Sequence, residues 1–239
     1  VHGGILALRD APSHRDAMKQ HGIDGIDLVV VNLYPFEETV AKNAPFNECI
    51  ENIDIGGPAM IRSAAKNYAH VTVVVDPHDY PAVMSDISAN AGAVGANLRR
   101  RLAAKAYSHT GAYDAAISKW FAHELKDSFP EKLIVSARRS EVLRYGENPH
   151  QDAALYAIPD SGDAGLATAT TIDGKPLSYN NYNDAAGALR CCRDMARACP
   201  GKAIAVVVKH ASPCGLAARE NGVDAFKAAY AGDPLAAFG

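Results

Sequence analysis

The sequence lacks the features that mark membrane, nucleic-acid-binding and disulfide-stabilised proteins. Its longest strictly aliphatic runs, such as Leu28–Val31 and Val73–Val75, are far shorter than the roughly 18 apolar residues that cross a bilayer. A formal net charge of −3 and a pI of about 6.3 argue against a nucleic acid or an anionic membrane as the main partner. The five cysteines are odd in number and show no Cys-x-x-Cys spacing, so we expect reduced thiols in a cytoplasmic protein.

An initiating Met and a signal peptide are also missing. The sequence begins at Val1 without a charged leader segment, and it stops at Gly239 within the apolar segment 234–239. We therefore expect an internal piece of a longer protein. Its 239 residues, of which 48% are hydrophobic and 21% charged, suffice for one large domain or two small ones.

The hydrophobic pattern predicts two regions that meet in the polar stretch 127–132. In the first region strands alternate with helices, which indicates a mainly parallel α/β layer structure. The predicted strands are residues 26–31 and 71–75, and the predicted helices are residues 58–66, 81–90 and 97–126. In the second we predict a strand early in 133–145, a helix at 183–198 with Asn183 as N-cap, a buried strand at 203–208 and a helix at 223–230.

Two motifs of the first region follow or precede predicted elements in positions that suit ligand binding. Asn32-Leu-Tyr-Pro-Phe36 follows a buried strand, and ligands of open α/β sheets bind at the carboxyl ends of strands. The alternative is a turn at Pro35 with packed aromatic rings.

Ile53-Asp-Ile-Gly-Gly-Pro58 leads into a helix, where glycines and free N–H groups admit an anion. Asp54 and Lys66, twelve residues apart, would then flank one substrate; the alternative is a glycine turn with a solvated lysine.

The second region carries two further candidates. In Leu143-Arg-Tyr-Gly-Glu-Asn-Pro-His150, Arg144 is suited to a phosphate or carboxylate and Tyr145 to stacking on a ring, unless the segment is a plain surface loop. Lys209-His210 ends the apolar run 203–208, and Pro213 and Gly215 predict a tight loop after it. His210 can move protons near pH 7 and Lys209 can stabilise developing negative charge. The alternative is a strand end whose charges face water.

A zinc site at His210 and Cys214 is not supported. Zinc deaminases pair a His-x-Glu motif with Pro-Cys-x-x-Cys, whereas Pro213-Cys214 is followed by Gly-Leu-Ala, without a second cysteine. We therefore expect no catalytic metal.

Taken together, the motifs resemble one family. In chain order they are Asn32-Leu-Tyr-Pro-Phe36, Ile53-Asp-Ile-Gly-Gly57 with Ala64-Ala-Lys-Asn67, Leu143-Arg-Tyr-Gly146 with Asn148-Pro-His-Gln151, Val208-Lys-His-Ala-Ser-Pro213 and Ala237-Phe-Gly239. Over essentially the whole chain they resemble the bifunctional AICAR formyltransferase/IMP cyclohydrolase family of purine biosynthesis. The resemblance implies an α/β fold: a methylglyoxal-synthase-like parallel-sheet domain at residues 1–132, followed by the start of a cytidine-deaminase-like transferase domain at 133–239.

The family carries out the last two steps to IMP. The amino group of AICAR takes a formyl group from the co-substrate 10-formyltetrahydrofolate, and formyl-AICAR then closes its second ring with loss of water. By resemblance, His210 is the transferase base, Lys209 stabilises the formyl oxygen and Lys66 is the acid/base of ring closure. The implied substrate contacts are Val31, Asn32, Tyr34, Asp54, Ile55 and Gly56 in the first region and Arg144, Tyr145 and Gly239 in the second.

The resemblance also shows what is missing. The family's N-terminal phosphate-binding segment and its Lys-Thr-Leu-His-Pro stretch do not occur here, and more than half of the transferase domain should lie beyond Gly239. For this piece alone, a catalytically incomplete nucleotide-binding module is an alternative, and a single-function cyclohydrolase is another. The family implies a cytoplasmic homodimer that binds AICAR, formyl-AICAR and IMP and neither nucleic acid nor membrane.

Overall fold

A computed structural model describes residues 1–159 and 165–237. The chain divides into two units, Val1–Ser136 and Ala137–Gly239. The predicted limits of the family's domains, with a boundary after residue 132, stay a prediction.

The first unit contains the parallel α/β arrangement that the sequence predicts. Strands β1 and β2 pair in parallel, with Leu28 opposite Thr72 and Val30 opposite Val74. The elements of this unit are α1 (His2–Leu6), α2 (Pro12–Gln20), β1 (Leu28–Val30), α3 (Phe36–Ala41), α4 (Phe46–Glu51), α5 (Gly56–Lys66), β2 (Thr72–Val74), a 3-10 turn (Pro77–Asp79), α6 (Tyr80–Ala89) and α7 (Ala96–Glu124). Both predicted strands and all three predicted helices are confirmed, with ends that differ by at most two residues.

Helices α5 and α7 cover β2 and form the main core of this unit. Ile61 and Ala64 of α5 and Ala106 of α7 are fully buried, together with Val73 of β2. Small alanine side chains let the helix backbones approach the sheet closely, while the β-branched valines fill the pleated surface between them. This packing fixes α5, and therefore the loop that precedes it, against the carboxyl end of the sheet.

An aromatic cluster joins the later part of α7 to α3. Phe36 packs edge-to-face on Trp120, with ring centroids 5.6 Å apart, and on Tyr113 at 6.3 Å. Ala106, Tyr113 and Trp120 recur at seven-residue spacing on one face of α7, so this face continues from the main core into the cluster. The cluster places the hydroxyl of Tyr113 beneath the loop at residues 52–54.

In its described residues, 137–159 and 165–237, the second unit has two antiparallel strand pairs and two α-helices. Its elements are β3 (Arg138–Val142), β4 (Ala154–Ala157), a 3-10 turn (Leu166–Thr168), α8 (Tyr179–Ala198), β5 (Ala203–Lys209), β6 (Ser212–Arg219) and α9 (Gly222–Tyr230). Strand β3 pairs with β4 and β5 pairs with β6. Helices α8 and α9 both contact the β5–β6 hairpin, and the predicted strand and helix at 203–208 and 223–230 are confirmed.

Several predictions for this unit are wrong in detail. The strand of segment 133–145 lies at Arg138–Val142 and not in its first part. Helix α8 begins at Tyr179 with Ser178 as N-cap, so Asn183 lies inside the helix; the backbone N–H of Ser178 donates to Asn181 Oδ1 at 3.0 Å. The sequence indicates this helix start, because Ser178 and Asn181 have the Ser-x-x-Asn spacing of a capping box.

The hairpin also differs from the prediction. Residues 213–215, predicted as a loop, belong to β6, because the reversal is completed by two residues, His210 and Ala211. Strand β5 is half-buried and not fully buried. In the described part of the chain it pairs with β6 alone.

Candidate functional site

The first candidate site lies at the carboxyl end of β1. The backbone N–H of Tyr34 donates to Asp54 Oδ2 at 3.4 Å, which joins two motifs that are 20 residues apart in sequence. Asn32 and Tyr34 are exposed, and Val31 is half-buried with its N–H donating to the carbonyl of Val74. The structure therefore brings the Asn32–Phe36 segment and the Asp54 loop together at the sheet edge where α/β proteins bind ligands.

Asp54 also anchors the start of α5. Its Oδ1 accepts a hydrogen bond from the backbone N–H of Gly57 at 2.7 Å. A carboxylate at this position is favoured by the partial positive charge of the helix N-terminus. A Cβ atom at Gly57 would lie 2.6 Å from Asp54 Oδ2 and 2.7 Å from Leu33 Cδ2, so only glycine permits this close approach.

Ile55 and Gly56, which directly follow Asp54, are both exposed. Ile55 is 78% exposed, and a Cβ atom added to Gly56 would meet no described atom within 4 Å. Both predicted substrate-contact residues are therefore accessible.

Tyr113 was not predicted to belong to this site. Its hydroxyl accepts a hydrogen bond from the backbone N–H of Asp54 at 2.9 Å and donates one to the carbonyl of Asn52 at 3.1 Å. Burial is the main cause that raises the pKa of Tyr113, so the phenol stays protonated and keeps both bonds. The sequence could have indicated Tyr113, since it shares the seven-residue spacing of Ala106 and Trp120 and is therefore expected to be buried. A buried tyrosine hydroxyl requires a hydrogen-bond partner.

Lys66 lies apart from Asp54. It is the last residue of α5, is exposed, and follows the helix start by ten residues. Because a helix rises 1.5 Å per residue, the Lys66 backbone lies roughly 15 Å from Gly56, so Asp54 and Lys66 stand near opposite ends of α5. The structure does not bring them together, and one ligand contacts both only if it extends along the helix.

A charged cluster that the motifs did not reveal follows the end of β2. Lys105 Nζ lies 2.6 Å from Asp76 Oδ2 and 2.7 Å from Asp79 Oδ2, and His78 Nδ1 lies 2.7 Å from Asp76 Oδ1. The hydrogen bond from Lys105, followed by those from His78, holds the pKa of Asp76 well below its usual value. Desolvation lowers the pKa of nearby His109. This cluster ties α7 to the end of β2.

In the second unit, Arg144 and Tyr145 form one cationic and aromatic face. The Arg144 guanidinium lies 4.8 Å from the centroid of the Tyr145 ring, and its Nη2 donates to the Tyr145 hydroxyl at 3.1 Å. Two backbone hydrogen bonds hold this pair near the start of α8: Arg144 N–H donates to the Leu177 carbonyl and Tyr179 N–H to the Tyr145 carbonyl, each at 3.1 Å. Arg144 is exposed and can meet a phosphate or carboxylate.

Lys209 and His210 stand at the tip of the β5–β6 hairpin. Lys209 is the last residue of β5 and pairs with Ser212. His210 has φ 51° and Ala211 has φ 60°, so both adopt the left-handed conformation of a two-residue type I′ turn. Each non-glycine residue in this region costs about 1–2 kcal/mol. His210 is exposed, and the strained turn projects it beyond the strands.

The first turns of α8 connect both parts of the second candidate site. Tyr179 bonds to Tyr145, and one and a half turns later Asp184 Oδ1 accepts a hydrogen bond from the Ala211 N–H at 2.6 Å. Arg144, Tyr145, Lys209 and His210 are thereby attached to one short stretch of helix. Asp184 was not predicted, because a helix that starts at residue 183 makes it an ordinary acidic residue of the first turn.

The remaining predictions concern Gly239, a metal site and a membrane-spanning helix. Gly239 lies outside the described residues. Within residues 1–159 and 165–237, no group of three or more His, Cys, Asp and Glu side chains is arranged to hold a metal ion. No helix in that part of the chain has the length and hydropathy needed to cross a bilayer.

Comparison with known proteins assigns the chain to a family. Residues 64–239 match the family model AICARFT/IMPCHase bienzyme, and residues 2–59 match the MGS-like domain, which confirms the methylglyoxal-synthase-like fold of the first region. Proteins named bifunctional purine biosynthesis protein PurH from Bradyrhizobium diazoefficiens, Rhodospirillum rubrum and Caulobacter vibrioides are 55%, 53% and 51% identical over 239 residues. These matches cover 100% of this chain and 44% of each relative, so the chain spans less than half of their length. The chain belongs to the AICARFT/IMPCHase bienzyme family.

Proposed function

We propose that the full-length protein containing this sequence carries out the last two steps of IMP synthesis. In the first, AICAR takes a formyl group from 10-formyltetrahydrofolate; in the second, formyl-AICAR cyclises to IMP with loss of water. The observation that carries the proposal is that most of the family's motif residues group around two helix starts, that of α5 in the first unit and that of α8 in the second.

Formyl transfer is proposed for the second unit. Arg144 and Tyr145 bind AICAR through its charged group and its ring, with Gly239 as a further contact. The amino nitrogen attacks the formyl carbon, His210 removes the amine proton, and the Lys209 ammonium stabilises the negative charge on the formyl oxygen. Collapse of the intermediate breaks the bond from the formyl carbon to the folate nitrogen. The proton that His210 removed passes to that nitrogen, and tetrahydrofolate and formyl-AICAR are released.

Ring closure is proposed for the first unit. The nucleotide contacts Val31, Asn32, Tyr34, Asp54, Ile55 and Gly56 along the edge of the sheet. The carboxamide nitrogen attacks the formyl carbon and gives up one of its protons, and the formyl oxygen is protonated to a hydroxyl. While the former formamide nitrogen loses its proton and forms the new C=N bond, the hydroxyl takes a second proton and leaves as water. Lys66 supplies that proton, because an ammonium group is both a donor and a stabilising charge.

The location of Lys66 sets a condition on this step. Because Lys66 and Asp54 lie at opposite ends of α5, the nucleotide must extend along the helix to reach both. No metal ion is needed for either step in this proposal.

The 239-residue chain alone is proposed to be a catalytically incomplete nucleotide-binding module. It spans 44% of the length of its relative from Bradyrhizobium diazoefficiens, so more than half of that relative's residues have no counterpart in it. For the full-length protein we propose a cytoplasmic homodimer, as the family resemblance implies.

Assays of both half-reactions test the proposal. The full-length protein should convert AICAR and 10-formyltetrahydrofolate to IMP, and formyl-AICAR alone to IMP, with products separated by chromatography. The 239-residue chain should show little formyl transfer. A full-length protein that performs neither half-reaction would overturn the proposed function, and efficient transfer by residues 1–239 would overturn the incomplete-module proposal.

A further inference from the structure

The turn that carries His210 is unusual for its sequence. Type I′ turns ordinarily use Asn-Gly or Asp-Gly, because both central residues need positive φ. Here the two positions are His210 and Ala211, neither of which is glycine, and both are left-handed. A strained conformation of this kind persists only where surrounding contacts determine it.

Helix α8 supplies those contacts on both sides of Ala211. The Ala211 N–H donates to Asp184 Oδ1 at 2.6 Å, a short hydrogen bond to a charged acceptor. On the carbonyl side, a Cβ atom at Gly187 would lie 3.1 Å from the Ala211 oxygen. Asp184 and Gly187 are three residues apart and so lie on one face of α8, and this face packs against the turn.

We propose that Asp184 is a positioning residue for formyl transfer: through the Ala211 N–H, its carboxylate holds the His210–Ala211 turn in the left-handed conformation that presents Lys209 and His210. The inference rests on the proposed function of the second unit. Without Asp184 the turn relaxes to less strained backbone angles, and His210 moves relative to the bound amine. Asp184 needs no contact with substrate, so its loss acts on turnover more than on AICAR binding.

Kinetics of full-length variants test this role. Asp184→Ala should lower kcat for formyl transfer about 100-fold, the effect of misplacing a reacting group by roughly 1 Å, and leave KM for AICAR within about twofold. Asp184→Asn keeps an Oδ1 acceptor and should retain most of the activity. Ring closure should be unchanged in both variants. The matched control is Asp194→Ala, which removes an exposed aspartate of the same helix and should not alter formyl transfer.

A double variant separates positioning from a general effect on helix stability. Glycine adopts positive φ without strain, so Ala211→Gly should restore about tenfold of the activity that Asp184→Ala loses. Ala211→Gly alone should remain near the wild-type rate. A purely structural contribution of Asp184 to α8 would not be rescued by a change in the turn.

Three results would overturn the inference. They are an unchanged kcat in Asp184→Ala, an equal loss of both half-reactions in Asp184→Asn, or the absence of rescue by Ala211→Gly. Hydrogen exchange of the Ala211 amide gives a readout without activity: it should be slow in the wild type and faster in Asp184→Ala. If the wild type lacks formyl transfer, the proposed function fails, and this exchange measurement still decides whether Asp184 holds the turn.

Discussion

The hydroxyl of Tyr113 accepts a hydrogen bond from the backbone N–H of Asp54, 59 residues earlier in the chain, at 2.9 Å. The same hydroxyl donates to the carbonyl of Asn52, so one side chain of α7 hydrogen-bonds to both ends of the turn that carries Asp54. Asp54 in turn fixes the backbone of Tyr34 and Gly57. The first candidate site is therefore held in place from the long helix beneath it.

Tyr113→Phe should loosen this site while leaving the aromatic cluster packed. The variant removes the partner of two backbone groups, which costs about 1–3 kcal/mol of unfolding free energy. Ring closure should slow about tenfold, as expected when reacting groups lose their orientation. Urea unfolding and steady-state cyclisation of formyl-AICAR measure the two effects.

The matched control is Tyr107→Phe on the same helix. Tyr107 is exposed and its hydroxyl makes a long 3.4 Å hydrogen bond to the Arg62 carbonyl, so its removal should change neither quantity. Equal effects of the two variants would contradict a specific role for Tyr113.

Gly57→Ala should disrupt the contact between Asp54 and α5. The added methyl group would lie 2.6 Å from the Asp54 carboxylate, so the helix start or the carboxylate must shift, at a cost of about 1–3 kcal/mol. Ring closure should be impaired and formyl transfer retained. Gly111→Ala provides the control, because that position of α7 is open in the described structure and alanine favours the helix by about 1 kcal/mol. A Gly57→Ala protein as stable and active as the Gly111→Ala protein would refute the close-packing argument.

Asp76 should contribute to stability in a pH-dependent way. Its folded pKa lies below the usual 3.8 because Lys105 and His78 bond to the carboxylate. A depressed carboxyl pKa stabilises the fold above pH 3.8, and that contribution is lost as the pH falls further towards the folded pKa. Asp76→Asn should therefore reduce unfolding free energy most near neutral pH, with the difference shrinking below about pH 4.

Chemical denaturation of Asp76→Asn and wild type across this range makes the measurement. Asp16→Asn, which changes an exposed carboxyl of α2, should show no such dependence. A destabilisation by Asp76→Asn that stays constant down to pH 2 would show that the ion pair is not its source.

The two strands and the three longest helices of the first unit were predictable because their signals are local, whereas the short helices α1 to α4 were not predicted. The apolar runs at 26–31 and 71–75 and the helical periodicity of 97–126 are properties of adjacent residues, and the structure confirms them. The ends were less certain: α5 begins at Gly56 and not at Pro58, since the Asp54 carboxylate bonds to Gly57 and extends the helix backwards.

The supporting residues of the sites were not predictable in the same way. Tyr113 and Asp184 act through hydrogen bonds across 59 and 27 residues, and no local pattern indicates which loop a helix will meet. The separation of Lys66 from Asp54 likewise depends on where α5 begins. The reversal at His210–Ala211 was missed because it lacks glycine, the usual signal of a type I′ turn.

We propose that two sites on two units divide the chemistry, and separation of the half-reactions tests this proposal most directly. In full-length protein, His210→Ala and Lys66→Ala are each assayed for formyl transfer to AICAR and for cyclisation of formyl-AICAR. Exposed His123→Ala and Lys119→Ala of α7 serve as controls. We expect His210→Ala to abolish transfer and retain cyclisation, and Lys66→Ala to do the reverse. Equal loss of both activities in either variant, or unchanged cyclisation in Lys66→Ala, would contradict the account.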